Sequence, residues 1–202
     1  MMIYKFTLPF LVIVALLSGC SSKEPITPKK EFAQKVHAIP LENFHKVDQK
    51  LYRSAQPNAK EFAQLIVFGI ENDLNLRQWH DDEDELEGLD ICYYHVPINT
   101  SKMSYEQLVE AVAFLSHSKG KTLVHCLHGS DRTGTVVAGY RIAIEGWSKE
   151  KAIEEFTQGG FGYHAFWFPN LPKLLDSLDV EQFQKDIKNY KFTNGMCKKL
   201  AK

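Results

Sequence analysis

The period of apolar positions changes repeatedly along the chain, and each change marks an element. Residues 70–76 and 90–96 are short runs with β-branched and aromatic content, the pattern of strands. A short apolar run at 121–124 reads as a further strand. Elsewhere the spacing lengthens. Asn58 followed by Glu61 opens a helix that Gly69 stops, with Asn58 as its cap. Ser104 and Gln107 form a capping box ahead of Leu108, Val112 and Leu115, which recur on one helical face. Residues 133–145, with Gly146 as a stop, and then 148–156 and 172–190 read as helical. Strands alternating with helices predict an α/β domain whose 125–132 loop lies at the carboxyl end of a central strand.

The front of the chain follows a different pattern. A short stretch with one positive charge (1–5) precedes a strongly apolar run (6–17). About a dozen apolar residues is short for a bilayer span and matches a signal-peptide core. The sequence LSGC at 17–20 resembles the bacterial lipobox, which implies cleavage after residue 19 and lipidation of Cys20. Acyl chains there would hold the protein to a membrane, and Ser21 fits sorting to the outer membrane, facing the periplasm. The expected organisation is a signal peptide at 1–19, the lipidated Cys20 with a flexible tether to 40, and one domain at 41–202.

Composition changes the picture little. The 202 residues are 44% hydrophobic with a formal net charge of −1, which gives no support to a nucleic-acid partner. The four cysteines do not read as a disulfide framework, because Cys20 is claimed by the lipobox and Cys126 is better used reduced. Cys92 reads as a core residue or as a reversible protective partner for Cys126.

The chemistry is concentrated in HCLHGSDRTG at 125–134. A loop that closes between strand and helix presents unpaired amides and the positive end of the helix dipole to an anion. If Leu127, His128, Gly129, Ser130, Asp131 and Arg132 curl about one centre, their N–H groups form a nest for phosphoryl oxygens. Gly129 tolerates unusual backbone angles, and Gly134 lets helix and sheet approach closely. Arg132 supplies a planar fork for two phosphate oxygens. In that field the Cys126 thiol ionises more readily and becomes a nucleophile able to form a phosphocysteine. Thr133 is placed to hydrogen-bond the sulfur, and strand alternation turns His125 away to brace the loop from behind. His128 is either a substrate contact or an exposed spacer. This chemistry needs no cofactor or metal, and no His/Asp/Cys spacing reads as a metal site.

The loop resembles the signature of the cysteine-based protein tyrosine phosphatases: His-Cys, five residues, Arg, then Ser or Thr. The compact dual-specificity branch is the most similar, and the likeness runs from about residue 51 to 144. LYRSAQP at 51–57 resembles the first strand of bacterial members, and NDLNLR at 72–77 the strand beside the catalytic one. The resemblance implies a central mixed sheet flanked by helices, and hydrolysis of a phosphorylated protein or small phosphate ester. Inositol phosphates, phosphoinositides, or phosphate binding without turnover are the alternatives. Comparable first strands end near the phosphate loop, so Arg53 is either a substrate contact or part of a surface salt bridge.

One departure stands out. Dual-specificity phosphatases carry a proton-donating Asp about thirty residues before the cysteine, yet residues 96–103 contain no carboxylate. Myotubularin-type lipid phosphatases have an Asp immediately before the Arg, which points to Asp131 as donor. The alternative is that Asp131 orients Arg132 or caps the helix. The acidic run at 81–85 reads as a solvated loop. The glycine- and aromatic-rich stretch at 159–167 reads as a packed connection or a pocket wall.

Overall fold

The computed structural model describes residues 1–2, 31–193 and 195–199; the predicted signal peptide and Cys20 lie outside the described residues. Strands β1 (Gln34–Lys35), β2 (His45–Lys46) and β3 (Leu51–Ser54) come first, followed by helix α1 (Ala59–Phe68) and β4 (Ile70–Arg77). Then come β5 (Cys92–Ile98), α2 (Tyr105–His117), β6 (Lys121–His125) and α3 (Asp131–Ala143). Helices α4 (Lys149–Gln158), α5 (Asn170–Asp176) and α6 (Val180–Asn189) follow, and a single 3-10 turn (Thr100–Lys102) joins β5 to α2.

The six strands form one mixed sheet in the order β1-β2-β3-β6-β4-β5. β6 lies parallel between β3 and β4, and β2 is antiparallel to β3. Alternation along β6 sends Leu123 into a core with Phe62 and Leu65 of α1, and Val124 and Cys126 into a larger core with α2 and α3. The sheet is thus covered on both faces, as the α/β reading requires.

Helix ends follow the expected chemistry. Asn58 with Glu61 and Ser104 with Gln107 each form a complete capping box, and Gly69 (φ 100°) closes α1 in the left-handed conformation. Helix α3 is buried at every position except Arg132, so it runs through the core as its central helix. Its buried Arg141 is paired with Glu155 of α4 through two 2.8 Å bonds.

Two boundaries and one packing role differ from expectation. Residues 31–40 are not a free tether: Gln34–Lys35 pairs with β2, and the Ala33 amide donates to buried Glu155 at 2.7 Å. The ordered domain therefore begins before Leu41. The helical stretch at 172–190 is two helices, with Asp179 capping α6 and Lys149 bonding the carbonyls of Asp176 and Leu178 freed at the break. Gly134 serves helix–helix rather than helix–sheet contact, since a Cβ there would lie 2.3 Å from the Phe156 ring of α4.

Candidate active site

The loop after β6 is held from outside by its carbonyls. Leu127 O accepts from the Gln56 amide at 3.2 Å, His128 O from Asn43 Nδ2 at 2.9 Å, and Gly129 O from Arg53 Nη2 at 2.6 Å. In a trans peptide the following N–H points opposite to the carbonyl, so the amides of His128, Gly129 and Ser130 turn inward. Gly129 makes this possible. Its φ is +69°, and a Cβ would sit 2.5 Å from the Ser54 carbonyl group.

Cys126 lies at the base of this nest, buried at 2% exposure. Burial alone raises its pKa, but Arg132 and hydrogen bonds from the Thr133 hydroxyl and the Thr133 and His128 amides outweigh that and hold the thiol below its ordinary range. Among the described residues, the buried Thr133 hydroxyl has no partner other than the sulfur. Arg132 reaches across the loop, donating through Nη1 to Leu76 O (3.3 Å) and Ile98 O (3.4 Å) at the ends of β4 and β5. Its buried Nε has no partner within the described protein.

His125 braces the loop from below, through partners the sequence did not reveal. Its Nε2 lies 3.0 Å from Asp82 Oδ2 and 3.3 Å from Asp73 Oδ1, with all three side chains fully buried. Burial acts to lower the His125 pKa, yet the two carboxylates overcome it and raise it to about 10. Burial likewise lifts Asp73 to about 6, whereas at Asp82 the charge of His125 outweighs burial and keeps the carboxyl low. The acidic run is therefore not simply a solvated loop. Asp82 turns inward, accepting from Gln56 Nε2 at 2.6 Å, while its amide donates to the Tyr93 hydroxyl at 3.2 Å. Asp73, Asp82 and His125 stand within metal-ligand reach of one another, as do His80, Asp82 and Glu85. Sequence spacing shows neither set. In the first, the His125 imidazolium already stands between the two carboxyls.

Asp131 faces the 159–167 segment. Its Oδ1 accepts from the His164 amide at 2.9 Å and its Oδ2 from His164 Nδ1 at 2.8 Å, so both oxygens are committed to the 159–167 segment. It does not pair with Arg132, and the α3 cap position is Ser130, whose side chain makes no capping bond. Arg53 is no surface residue and offers substrate no exposed face: it is fully buried, with its guanidinium 4.0 Å over the Phe161 ring. Burial lowers its pKa to about 10.

The 159–167 segment is both packing and wall. Phe161 is buried against Arg53 and His45, while Gly162 and His164 line a cavity of about 500 Å³ with Asn43, His128 and Ser130. His128 is exposed and faces this cavity. Asn43 and His164 were not singled out from sequence, because Asn43 sits at φ 55° in an irregular turn and His164 within a glycine-rich one.

Cys92 is not a partner for Cys126. It is level with Asn72, which is level with Thr122, on a strand two places from β6. That geometry separates the thiols by ~10 Å across the sheet and ~13 Å along it, beyond disulfide reach. Cys92 instead donates to Met196 O at 3.7 Å, and burial together with the neighbouring Cys197 thiol pushes its pKa up to about 12.

A family model described as "Tyrosine phosphatase family" matches residues 38–166, more than half of the chain. The dual specificity protein phosphatase TpbA of Pseudomonas aeruginosa is 32% identical over 125 residues, covering 61% of this chain and 57% of that protein. The match thus spans little more than half the length of that relative. The crystal structure of P. aeruginosa TpbA superposes with a TM-score of 0.70 at 28% identity, covering 81% of this chain and 100% of that one. The catalytic core of the S. cerevisiae PP-IP phosphatase SIW14 gives a TM-score of 0.61 at 22% identity, covering 73% and 92%, and shares the fold.

Proposed function

Because this chain belongs to the tyrosine phosphatase family, and its loop surrounds an acidified thiol, we propose that it hydrolyses phosphate monoesters through a phosphocysteine intermediate. The observation that carries the reading is the convergence on Cys126 of Arg132, the Thr133 hydroxyl and two loop amides, which together overcome the cost of burying a thiolate. The Cys126 sulfur attacks phosphorus in line with the leaving oxygen. Inward amides and the Arg132 fork hold the three equatorial oxygens as charge redistributes. Thr133 donates to the sulfur and eases its departure when water releases phosphate. The protein's groups suffice for this sequence without a metal.

Phosphotyrosine, in protein or peptide, is the substrate class we favour. TpbA is named a dual specificity protein phosphatase, and a TpbA structure is described as a complex with pTyr. Turnover of a phosphotyrosyl peptide by the wild type, abolished in Cys126→Ser, is the expected result. Undiminished turnover in Cys126→Ser overturns the mechanism, and tight peptide binding without turnover in the wild type leaves a binding module instead.

The lipobox at 17–20 supports lipid anchoring in the bacterial envelope, outside the cytoplasm. Among the described residues no helix is long and apolar enough to cross a membrane. Cys20→Ala should shift the protein from membrane to soluble fractions; unchanged membrane retention would rule out the acyl anchor.

A further inference from the structure

β5 lies at one edge of the sheet, and the last described residues run along its outer side. Tyr93 and Lys198 form an antiparallel pair that exchanges both backbone bonds. Tyr93 N donates to Lys198 O at 3.1 Å, and Lys198 N to Tyr93 O at 3.0 Å. Side chains add to the hold of this strap. Lys198 Nζ pairs with Glu83, and Lys199 Nζ pairs with Asp90 at 2.6 Å. Both acidic partners belong to the stretch that carries Asp82, and with it the floor of the phosphate loop.

That register brings two cysteines together. Tyr93 and Lys198 share one face, so Cys92 and Cys197 share the other, as diagonal neighbours across the pair. The Cys92 sulfur lies 3.7 Å from Met196 O, the carbonyl of the peptide that carries the Cys197 nitrogen. Burial, then hydrogen bonding to and repulsion from the Cys197 thiol, raise the Cys92 pKa to about 12, so the second sulfur is close. Diagonal neighbours on antiparallel strands stand ~7–8 Å apart, and disulfides close at Cα separations of ~4.4–6.8 Å. A shift of ~1 Å bridges that difference, and a strap tied to β5 through one backbone pair supplies it at small cost. We propose that Cys92 and Cys197 are an oxidation site, whose disulfide fastens residues 195–199 across the edge of β5. The proposal stands apart from the phosphatase reading, because neither thiol belongs to the phosphate loop.

The co-reactant is a disulfide, small-molecule or protein, of the kind that oxidising compartments supply. Cys197 is exposed and Cys92 half-buried, so Cys197 meets the donor first. Its thiolate attacks one donor sulfur, the donor S–S bond breaks, and the first donor thiolate leaves. Cys92 then loses its proton, attacks the Cys197 sulfur and expels the second donor thiolate. Two electrons pass to the donor, and the two cysteine protons end on its two thiols. Lys199 brings positive charge to this pair and favours the Cys92 thiolate, while burial makes the second step the slow one. The closed bond joins β5 to the end of the chain, a long loop whose closure restricts the unfolded state.

The test needs no substitution at the start: full-length protein is incubated with oxidised glutathione, unfolded, alkylated and mapped by mass spectrometry. The expected product is a Cys92–Cys197 linked peptide pair from within one molecule, reversed by dithiothreitol. In Cys126→Ser, where the nucleophile is silent, the same oxidation should raise Tm by ~5–15 °C. Adding Cys197→Ser to that background should abolish the rise, and because Cys197 is exposed its replacement leaves the packing intact. A glutathione that stays on Cys197 while Cys92 remains open to alkylation overturns the proposal. So does a Cys197 linked to Cys126, or to a second molecule, in place of Cys92. A Cys92–Cys197 bond that leaves Tm unchanged overturns the fastening of the strap. The phosphatase reading is judged separately, by phosphotyrosyl turnover of the reduced protein, so each fails on its own measurement.

Discussion

The floor and the far wall of the phosphate loop are built on opposite principles. The floor is closed: His125, Asp73 and Asp82 are fully buried, with one imidazolium between two carboxyls. Arg53 is sealed between the Gly129 carbonyl and the Phe161 ring. The far wall is open, with His128 and His164 on a cavity of about 500 Å³. A buried ion pair is costly to disturb and so holds a shape. The difference separates groups that set the geometry of the nucleophile from groups that solvent can reach.

The largest effect expected on this contrast comes from the residue that joins the two regions. Arg132 is tied to Leu76 O and Ile98 O by Nη1 and keeps its other nitrogens for phosphate. Arg132→Lys retains a charge but loses the planar fork. The expected result is a fall in kcat/KM of ~10²–10³-fold, the size seen when one preorganised oxyanion contact is removed. A loss below about 5-fold would show that the fork geometry does not matter and that charge alone suffices.

The second effect is on stability. Asp82→Ala leaves the His125 imidazolium with Asp73 alone, and it also frees Gln56 Nε2. Removing one partner of a buried charge pair costs about 3–5 kcal/mol. Chemical denaturation should report a loss in that range, whereas Glu83→Ala, one residue along in the same acidic run and exposed, should stay within about 0.5 kcal/mol. Equal effects from the two would mean that Asp82 is no different from its solvated neighbours.

That pair of residues also shows where reading the chain stops. The nucleophile, the arginine, the glycine of the turn and the hydroxyl behind the sulfur fall within ten consecutive positions, and a contiguous loop carries its own geometry. The capping boxes at Asn58 and Ser104 were equally legible, because their partners are three residues away. The supports of the loop were not. Asp82 meets His125 across 43 positions, Asp131 meets His164 across 33, and Asn43 meets His128 across 85. A run of five acidic residues has an average character, solvated, that says nothing about the single member turned inward by Gln56 and Tyr93. Arg53 shows the same limit from the other side, since an arginine in a strand is exposed by default and only Phe161, from a distant segment, reveals its burial.

The smallest effect is the pH dependence of stability, and its sign discriminates between floor and wall. His125 has its pKa raised from 6.5 to about 10 by the two carboxylates despite burial. The stabilisation is therefore fully present below pH 6.5 and is lost as pH rises toward 10, because the folded state keeps a proton that the unfolded state has released. Cys126 works in the opposite direction: its lowered pKa means that the folded state sheds a proton first, so stability from that source grows as pH rises toward 9. The measurement belongs in a Cys126→Ser background, where the thiol is silent. There, unfolding free energy should decline between pH 7 and 10 by up to ~1.4 kcal/mol per pH unit, the slope of one proton. His125→Gln in the same background should remove that decline, while His164→Gln, on the exposed wall, should leave it intact. Parallel curves for the His125 variant and its parent would mean that the imidazole is not held as a cation, and the picture of a closed floor built around that cation would then have to be abandoned.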